Sequence, residues 1–404
     1  MASSQSALRK RNTEYAQQDE VKKAHQVRKS GGYDYTLLFL VIFMFAIGLL
    51  FIYSGSQYTT VIEGRPGTYY FMRQLTIGGG GLVGALLLSA LFDYRILKKR
   101  MLPLIIYAGS VILLVLTLVL GYATNGKTRW ISIAGVSFQP AEVAKLGIII
   151  MLACICEKEG RKLKNLKNLL GVACLGVIPA ILILTQNISS AFIVMAIVVI
   201  MLFAASGNYA MFGGLSAIMI AGILAAKPIL QKILTDNNIT KRPSQYWLRR
   251  IYAWALPDVF ATDSYQTMQG LYAIGSGGVT GRGLGESIQK FGKIPEVQND
   301  MIFSVICEEF GFIGAAAVII LYIAMLYRIM VIARNARDKF GSLICVGVMA
   351  HIGVQVILNL SVVTGVIPNT GVTLPFISYG GTAVLLTMAE MGLVLSISKR
   401  SGTF

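Results

Sequence analysis

Ten apolar stretches run through this chain, near residues 35–54, 75–92, 102–122, 140–156, 169–185, 188–205, 209–226, 301–327, 341–366 and 373–397. Each approaches the roughly 20 residues that a helix needs to cross a hydrocarbon core. Lipid offers no partners for backbone N–H and C=O groups, so each crossing must satisfy them internally, as a helix does. The pattern predicts an all-α polytopic membrane protein of ten spans, the fifth and sixth divided only by Gln186–Ser190. At 55% hydrophobic and 14% charged, with no internal repeat of fixed period, the chain leaves no stretch for a separate soluble domain.

Lysine and arginine placement orients these spans. With a cytoplasmic N-terminus, 22 basic residues fall inside and 13 outside, Lys145 lying within a span. Nine of the outside residues sit in the long 227–300 loop, and loops of that length escape the positive-inside rule. Both termini are therefore expected in the cytoplasm and the 227–300 loop outside. Residues 1–32 are polar and basic without an apolar run, which predicts a disordered cytoplasmic tail. Residues 33–400 then form one membrane domain that includes the loop. The first span reads as an uncleaved signal-anchor.

The net charge of +17 could suggest a nucleic-acid partner, but topology and attraction to anionic membrane lipids account for most of it. No nucleic-acid partner is expected. Cys154, Cys156, Cys174, Cys307 and Cys345 all fall in apolar spans without metal-ligand spacing, so packing is their default role. His25 lies in the tail and His351 in a span, which disfavours zinc or a catalytic histidine.

Charges inside spans are costly unless paired or facing water. Glu142 and Lys145 stand at i and i+3 on one helix face, where they can pair. They are read either as a structural ion pair or as part of a polar cavity. The surrounding RWISIAGVSFQPAEVAK favours the cavity, with Arg129 and Trp130 at the outer interface and Pro140 in a first helical turn. Glu308, Glu309 and Glu390 are further intramembrane acids. If the eighth helix starts near Asp300, Glu308 lies on its side about 12 Å deeper and could share its cavity. Glu309 then points away and needs another partner.

The 227–300 loop carries its own signals. Trp247, Ile251 and Trp254 make an apolar face beside Arg249 and Arg250, which predicts an interfacial amphipathic helix. Those arginines could hold lipid head groups or substrate. Downstream, GSGGVTGRGLG (Gly275–Gly285) has the look of an anion-cradling loop, though glycine runs equally serve tight turns and close helix approach. Arg282, Lys290 and Lys293 accompany the glycines, and Asp300 follows where the chain returns to the membrane.

Three motifs then resemble one family. YQTMQGLYAIGSGGVTGRGLGESIQKFGKIPEVQNDMIFSVICEEFGFIG, PNTGVTLPFISYGGT (Pro368–Thr382) and RWI…QPAEVAK resemble the signatures of the SEDS proteins (shape, elongation, division and sporulation). The likeness runs from about Tyr35 to Lys399, and NTGVTLPFISYGGT and QNISSA are closer to the division and sporulation members than to the elongation member. Ala141 stands in place of a usual serine, and Asn187 where many elongation-type members have aspartate, so Asn187 is no candidate acid.

The resemblance implies ten transmembrane helices around a central polar cavity, capped by the extracytoplasmic loop between helices seven and eight. It implies a peptidoglycan glycosyltransferase that polymerises lipid II into glycan strands at the outer face of the bacterial plasma membrane. The partners implied are a class B penicillin-binding protein acting as transpeptidase, the nascent glycan strand and other divisome proteins at the septum. The family's loop aspartate falls on Asp300. A carboxylate there would take a proton from the attacking sugar hydroxyl. Arg282, Arg249, Arg250, Lys145 and Arg129 are candidates to balance the leaving diphosphate, with Trp130, Glu142, Glu308 and Ser378 as further substrate-binding candidates. A divalent cation, Mg or Mn, could assist. One loop carboxylate rather than a close pair predicts an inverting single displacement. The alternatives are a lipid II flippase, which the intramembrane charges and the Gly80–Gly84 spacing would suit, and a non-catalytic division scaffold.

Overall fold

The computed structural model describes residues 32–401 apart from 125, 126, 134 and 135. The expected tail lies outside the described residues except for residue 32. The ten predicted spans emerge as ten long helices. They are α1 (Tyr35–Ile62), α2 (Tyr69–Leu91), α3 (Leu102–Leu120), α4 (Pro140–Glu159), α5 (Leu166–Leu184), α6 (Ile188–Ser206), α7 (Tyr209–Asp236), α10 (Ile302–Asn335), α11 (Lys339–Val363) and α12 (Gly381–Ser401). Two more helices, α8 (Tyr246–Ala255) and α9 (Ala261–Gly277), fold within the long loop.

Among the described residues nine helices are long and apolar enough to cross a membrane, and α4 is the tenth. Its 20 residues carry Glu142, Lys145, Glu157, Lys158 and Glu159, too many charges for an apolar window. Pro140 in its first turn and Glu142 near its positive N-terminal pole favour helix there. Packing against α3, α6, α11 and α12 buries its middle.

Small residues bring the helices together, as they must where lipid is no less apolar than a neighbouring side chain. Gly78 and Gly81 of α2 lie against Phe45 of α1 and Met388 of α12, and Gly392 of α12 lies against the Ala85 backbone. Gly347 of α11 fits between Ile149 and Met201. By contrast, the window of α7 that meets the span criteria has no buried residue.

Four features differ from the expectations. The helix α7 continues to Asp236, well past the expected end near 226. The tenth span begins at Gly381 rather than 373, because residues 373–380 form the turn of the second signature. The 122–138 stretch forms a three-stranded antiparallel sheet, β1 (Tyr122–Thr124), β2 (Lys127–Ile133) and β3 (Val136–Phe138), in an otherwise helical fold. Finally, α10 is broken at Gly311, whose φ of 65° and ψ of −161° interrupt the helix.

That break explains the glycine-rich string. Phe312 N and Ile313 N donate to Gly278 O and Val279 O, while Arg282 N and Gly283 N donate to Glu308 O and Glu309 O. A Cβ on Gly277 or Gly281 would collide with the carbonyls of Cys307 or Glu309. The glycines thus let one backbone lie against another, and the anion-cradle likeness gives way to close approach.

Charged pairs gather at one end of the bundle. Arg328 meets Asp34 at 2.6 Å, Lys98 meets Glu157 at 3.2 Å and Arg95 meets Asp338 at 3.3 Å. Asp34 N also donates to Ser398 Oγ at 3.0 Å, so both described chain ends share this end. The sheet, α8, α9 and the 364–380 turn lie towards the other.

Candidate active site

At that second end a cavity of about 500 Å³ opens between the helices. The loop supplies Asp300, α8 supplies Tyr246 and Arg250, and α4 supplies Glu142 and Lys145. Arg73 of α2, Asn187 and Ser190 of α6, Gln355 of α11, Trp130 of β2 and the Gly371–Thr373 and Tyr379–Ala383 backbones complete most of the wall.

Asp300 is held on two sides. Its carboxylate Oδ1 accepts from Gln266 Nε2 at 3.3 Å, and its backbone carbonyl accepts from Asn359 Nδ2 at 2.8 Å. Asn359 Nδ2 also donates to Val372 O at 2.7 Å, tying the loop signature to the C-terminal one. Asp300 does not cap α10, as its place before a helix would suggest. Met301 occupies the cap position, with no side-chain bond to the helix end. Burial raises the Asp300 carboxyl from its ordinary 3.8 to about 6, with Arg250 and the Gln266 hydrogen bond pulling the other way. A base poised near there is ionised at neutral pH yet basic enough to accept a proton.

Arg250 is locked rather than swinging free. It donates from Nη1 to Asn369 O at 3.0 Å and from Nη2 to Tyr246 OH, with its guanidinium 4.6 Å from the Tyr246 ring centroid. A Cβ on Gly371, whose φ is 72°, would lie 3.7 Å from Arg250 Nη1 and 3.8 Å from Asp300 Oδ2. The cation and the free carboxylate oxygen therefore border one small space beside a glycine.

Glu142 and Lys145 pair at 2.7 Å with both side chains buried, and both line the cavity. The two readings of this pair thus coincide. Asn187 caps α6, its Oδ1 accepting from Ser189 N and Ser190 N. Gln355 Nε2 donates to Thr373 O at 2.9 Å and steadies the second signature from α11.

Four of the sequence-predicted residues lie elsewhere. Glu308 shares no cavity with Asp300. It is fully buried and accepts from Ser276 Oγ, Ser287 Oγ, Ile288 N and Gln289 N, clamping the loop. The shared side expected for the two acids assumed a helix running from Asp300, but α10 starts at Ile302 and the loop folds over Glu308. Arg282 is exposed on the far side of the glycine turn. Arg249 stays near Ser244 and the Tyr246 ring and is absent from the cavity wall. Ser378 is buried in its own turn, accepting from Leu374 N at 2.8 Å. Trp130 does line the cavity. Arg129 sits in β2, and its side chain lies outside the described residues.

Sequence reasoning missed Arg73, Tyr246, Glu296, Gln355 and Tyr379. Arg73 stands just before the second apolar stretch, where an arginine two residues from the hydrocarbon could have been noticed. Glu309, expected to need its own partner, has one in Lys290 at 2.8 Å, with Ser54 Oγ bonded to both. Glu390 meets His351 at 2.8 Å. Among the described residues no cluster of three or more His, Cys, Asp or Glu side chains could hold a metal ion.

A multi-pass membrane bundle with a charged cavity at one end, walled by a long loop and two signature turns, is the class of protein these features define. The chain belongs to the FtsW/RodA/SpoVE family, described as cell cycle protein, whose profile matches residues 35–402. It is 36% identical over 380 residues to the probable peptidoglycan glycosyltransferase FtsW of Bacillus subtilis (strain 168), covering 91% of this chain and 90% of that one. It is 31% identical over 371 residues to stage V sporulation protein E of the same organism, covering 91% and 97%. A solved structure concerning the coordination of polymerization and crosslinking by a peptidoglycan synthase complex superposes with a TM-score of 0.70. It is 29% identical and covers 91% of this chain and 98% of that one.

Proposed function

We propose that the chain is a peptidoglycan glycosyltransferase that polymerises lipid II at the outer face of the bacterial plasma membrane during division. The observation that carries this reading is the buried Asp300 carboxylate beside the fixed Arg250 guanidinium in a cavity that also holds Lys145. The names of the relatives support it.

Two lipid-linked sugars must meet. A hydroxyl of the acceptor sugar attacks the anomeric carbon of the donor, the new C–O bond forms as the bond to the diphosphate breaks, and the bond's electron pair leaves with the phosphate. The hydroxyl proton passes to Asp300, worth typically 10²–10⁴-fold. Arg250 and Lys145 are placed to meet the charge that develops on the diphosphate, in a site that excludes most water. Lys145 is drawn partly away by Glu142, so Arg250 is the stronger candidate. A single displacement inverts the configuration at the anomeric carbon. A divalent cation would arrive as a companion of the diphosphate, since such ions are commonly held by substrate phosphates with few carboxylates. No step depends on it.

The end of the bundle with the charged pairs then faces the cytoplasm with both termini, and the cavity faces outward. A class B penicillin-binding protein, other divisome proteins and a septal location belong to the same reading. The test is a glycan ladder from labelled lipid II, made by purified protein with its transpeptidase partner. Asp300→Asn, which keeps the shape but not the base, should cut synthesis by about 10²–10⁴-fold with normal yield and partner binding. A ladder formed at the wild-type rate would remove Asp300 from the chemistry.

A further inference from the structure

Two side-chain amides and one backbone N–H stand in file behind Asp300, all donating in one direction. Gly371 N donates to Asn369 Oδ1 at 3.1 Å. Asn369 Nδ2 donates to Gln266 Oε1 at 3.0 Å. Gln266 Nε2 then donates to Asp300 Oδ1 at 3.3 Å and to Pro295 O at 3.2 Å. Each orientation is forced by its neighbour. A backbone N–H can only donate, so Asn369 must turn its oxygen to Gly371 and its nitrogen to Gln266. Gln266 must then present its nitrogen to the carboxylate. The backbone of Asn369 adds a second tie, since its carbonyl accepts from Arg250.

We infer that Gln266 and Asn369 are positioning residues for the transfer reaction, engaging one oxygen of Asp300 and leaving Oδ2 to meet the acceptor hydroxyl. This rests on the reading of Asp300 as the base. Three separate segments contribute: Gln266 from α9, Asn369 and Gly371 from the second signature, and Asp300 from the end of the loop. The file fixes the rotation of the carboxyl, which its short side chain alone would leave free. A donor aimed at Oδ1 also favours the ionised form, opposing burial. Oδ2 meanwhile faces the space beside Gly371 that Arg250 also borders. Proton acceptance is thereby directed to one lone-pair face, close to the cation that meets the leaving group.

Other charges bear on Asp300 too. Arg250 comes from α8, Glu296 from the same loop, Glu142 and Lys145 from α4 and Arg73 from α2, with the Tyr379 hydroxyl nearby on the wall. On α9, Asp263 is tied to Arg242 at 2.6 Å. All of these remain in place when Gln266 or Asn369 is replaced, so a change in the titration of activity reports on the file.

The experiment measures initial rates of glycan formation from labelled lipid II by the complex with its transpeptidase partner, across the acid limb of the wild-type pH profile. Gln266→Leu should move that limb to higher pH and lower the rate within it by about tenfold, as expected for losing a hydrogen bond to a charged group. Gln266→Glu keeps the shape and the bond from Asn369 but puts an oxygen where the donor was, and should move the limb further. Asn369→Ala should shift it in the same direction by less, and the Gln266→Leu/Asn369→Ala pair no more than Gln266→Leu alone, because the file acts in series. Thermal melting in detergent accompanies each variant. A limb left in place by both Gln266 variants, whatever their maximal rate, overturns the inference. Additive effects in the pair overturn the series arrangement. If Asp300→Asn itself keeps the wild-type rate, the failure lies in the reading of the base and is recognised as such.

Discussion

Two groups of buried charges occupy this protein, built from the same residue types and finished to opposite degrees. In the loop clamp, Glu308 accepts four hydrogen bonds and Glu309 faces Lys290 and Ser54. In the cavity, Asp300 accepts one side-chain hydrogen bond, on Oδ1, beside a contact from its own backbone N–H, and the Glu142–Lys145 pair lies open to the same space. A carboxylate with partners on both oxygens, as Glu308 has, is a structural staple. One given partners on one side, with water-sized room on the other, can still react. Burial of an acid in a membrane protein therefore says less about function than the number of partners it has been given.

The comparison can be broken most strongly at the clamp. Glu309→Gln or Lys290→Met leaves one buried charge without its counterpart, which should cost about 3–5 kcal/mol of stability. Low yield and early melting are the expected outcome, with specific activity of the surviving protein near normal. Lys145→Met leaves Glu142 bordering the cavity rather than sealed in the interior, so it should cost less stability than the clamp variants and depress synthesis more. If the two variants behaved alike, the distinction between clamp and site would fall. Arginines sharpen the contrast next. Arg250→Ala should lower the polymerisation rate by about 10²-fold, the scale for a fixed donor at developing charge, whereas Arg282→Ala should stay within about a factor of two of wild type because surface changes are seldom felt.

A further effect concerns stability and carries a sign. The Asp300 carboxyl is raised in the folded protein, so its contribution favours the fold below the ordinary carboxylate value and is lost as pH rises through about 6. Asp300→Asn mimics the protonated form. It should be more stable than wild type at neutral pH by about 3 kcal/mol and so melt higher, and the gain should vanish as pH falls below 3.8. Activity runs the other way, since the base must be ionised. Equal melting of the two proteins at neutral pH would contradict the buried placement of this acid.

Much of this architecture is legible in the sequence because lipid enforces helices and hydropathy marks them. All ten helices stand close to where their apolar runs predict, and α8 forms where the tryptophan spacing places it. The misplacements have physical causes. The sheet at 122–138 lies in a stretch whose interfacial residues draw the attention, although TRWISI is rich in the β-branched and aromatic residues that favour strands. Asp300 precedes a helix without capping it, since Gln266 and Asn359 claim its side chain and carbonyl. Helical periodicity pairs Glu308 with Asp300, yet its partners come from a loop that folds back over it, and no periodicity encodes such a return. Gln266 and Asn369 meet only through tertiary contact between the loop and the second signature, and nothing local announces that pairing.

The last helix has a consequence for how the molecule is made. Residue α12 side chains fill the glycine face of α2, bind Gln139 N through Thr382 Oγ1 and reach the start of α1 through Ser398. Asp300 and Val372, which Asn359 joins, leave the ribosome 72 residues apart. At 5–20 residues per second that is roughly 4 to 14 s. During this interval the loop acid has been made while its floor and its far wall have not. A chain that stops before residue 372 therefore holds Asp300 without the walls that the second signature and α12 supply.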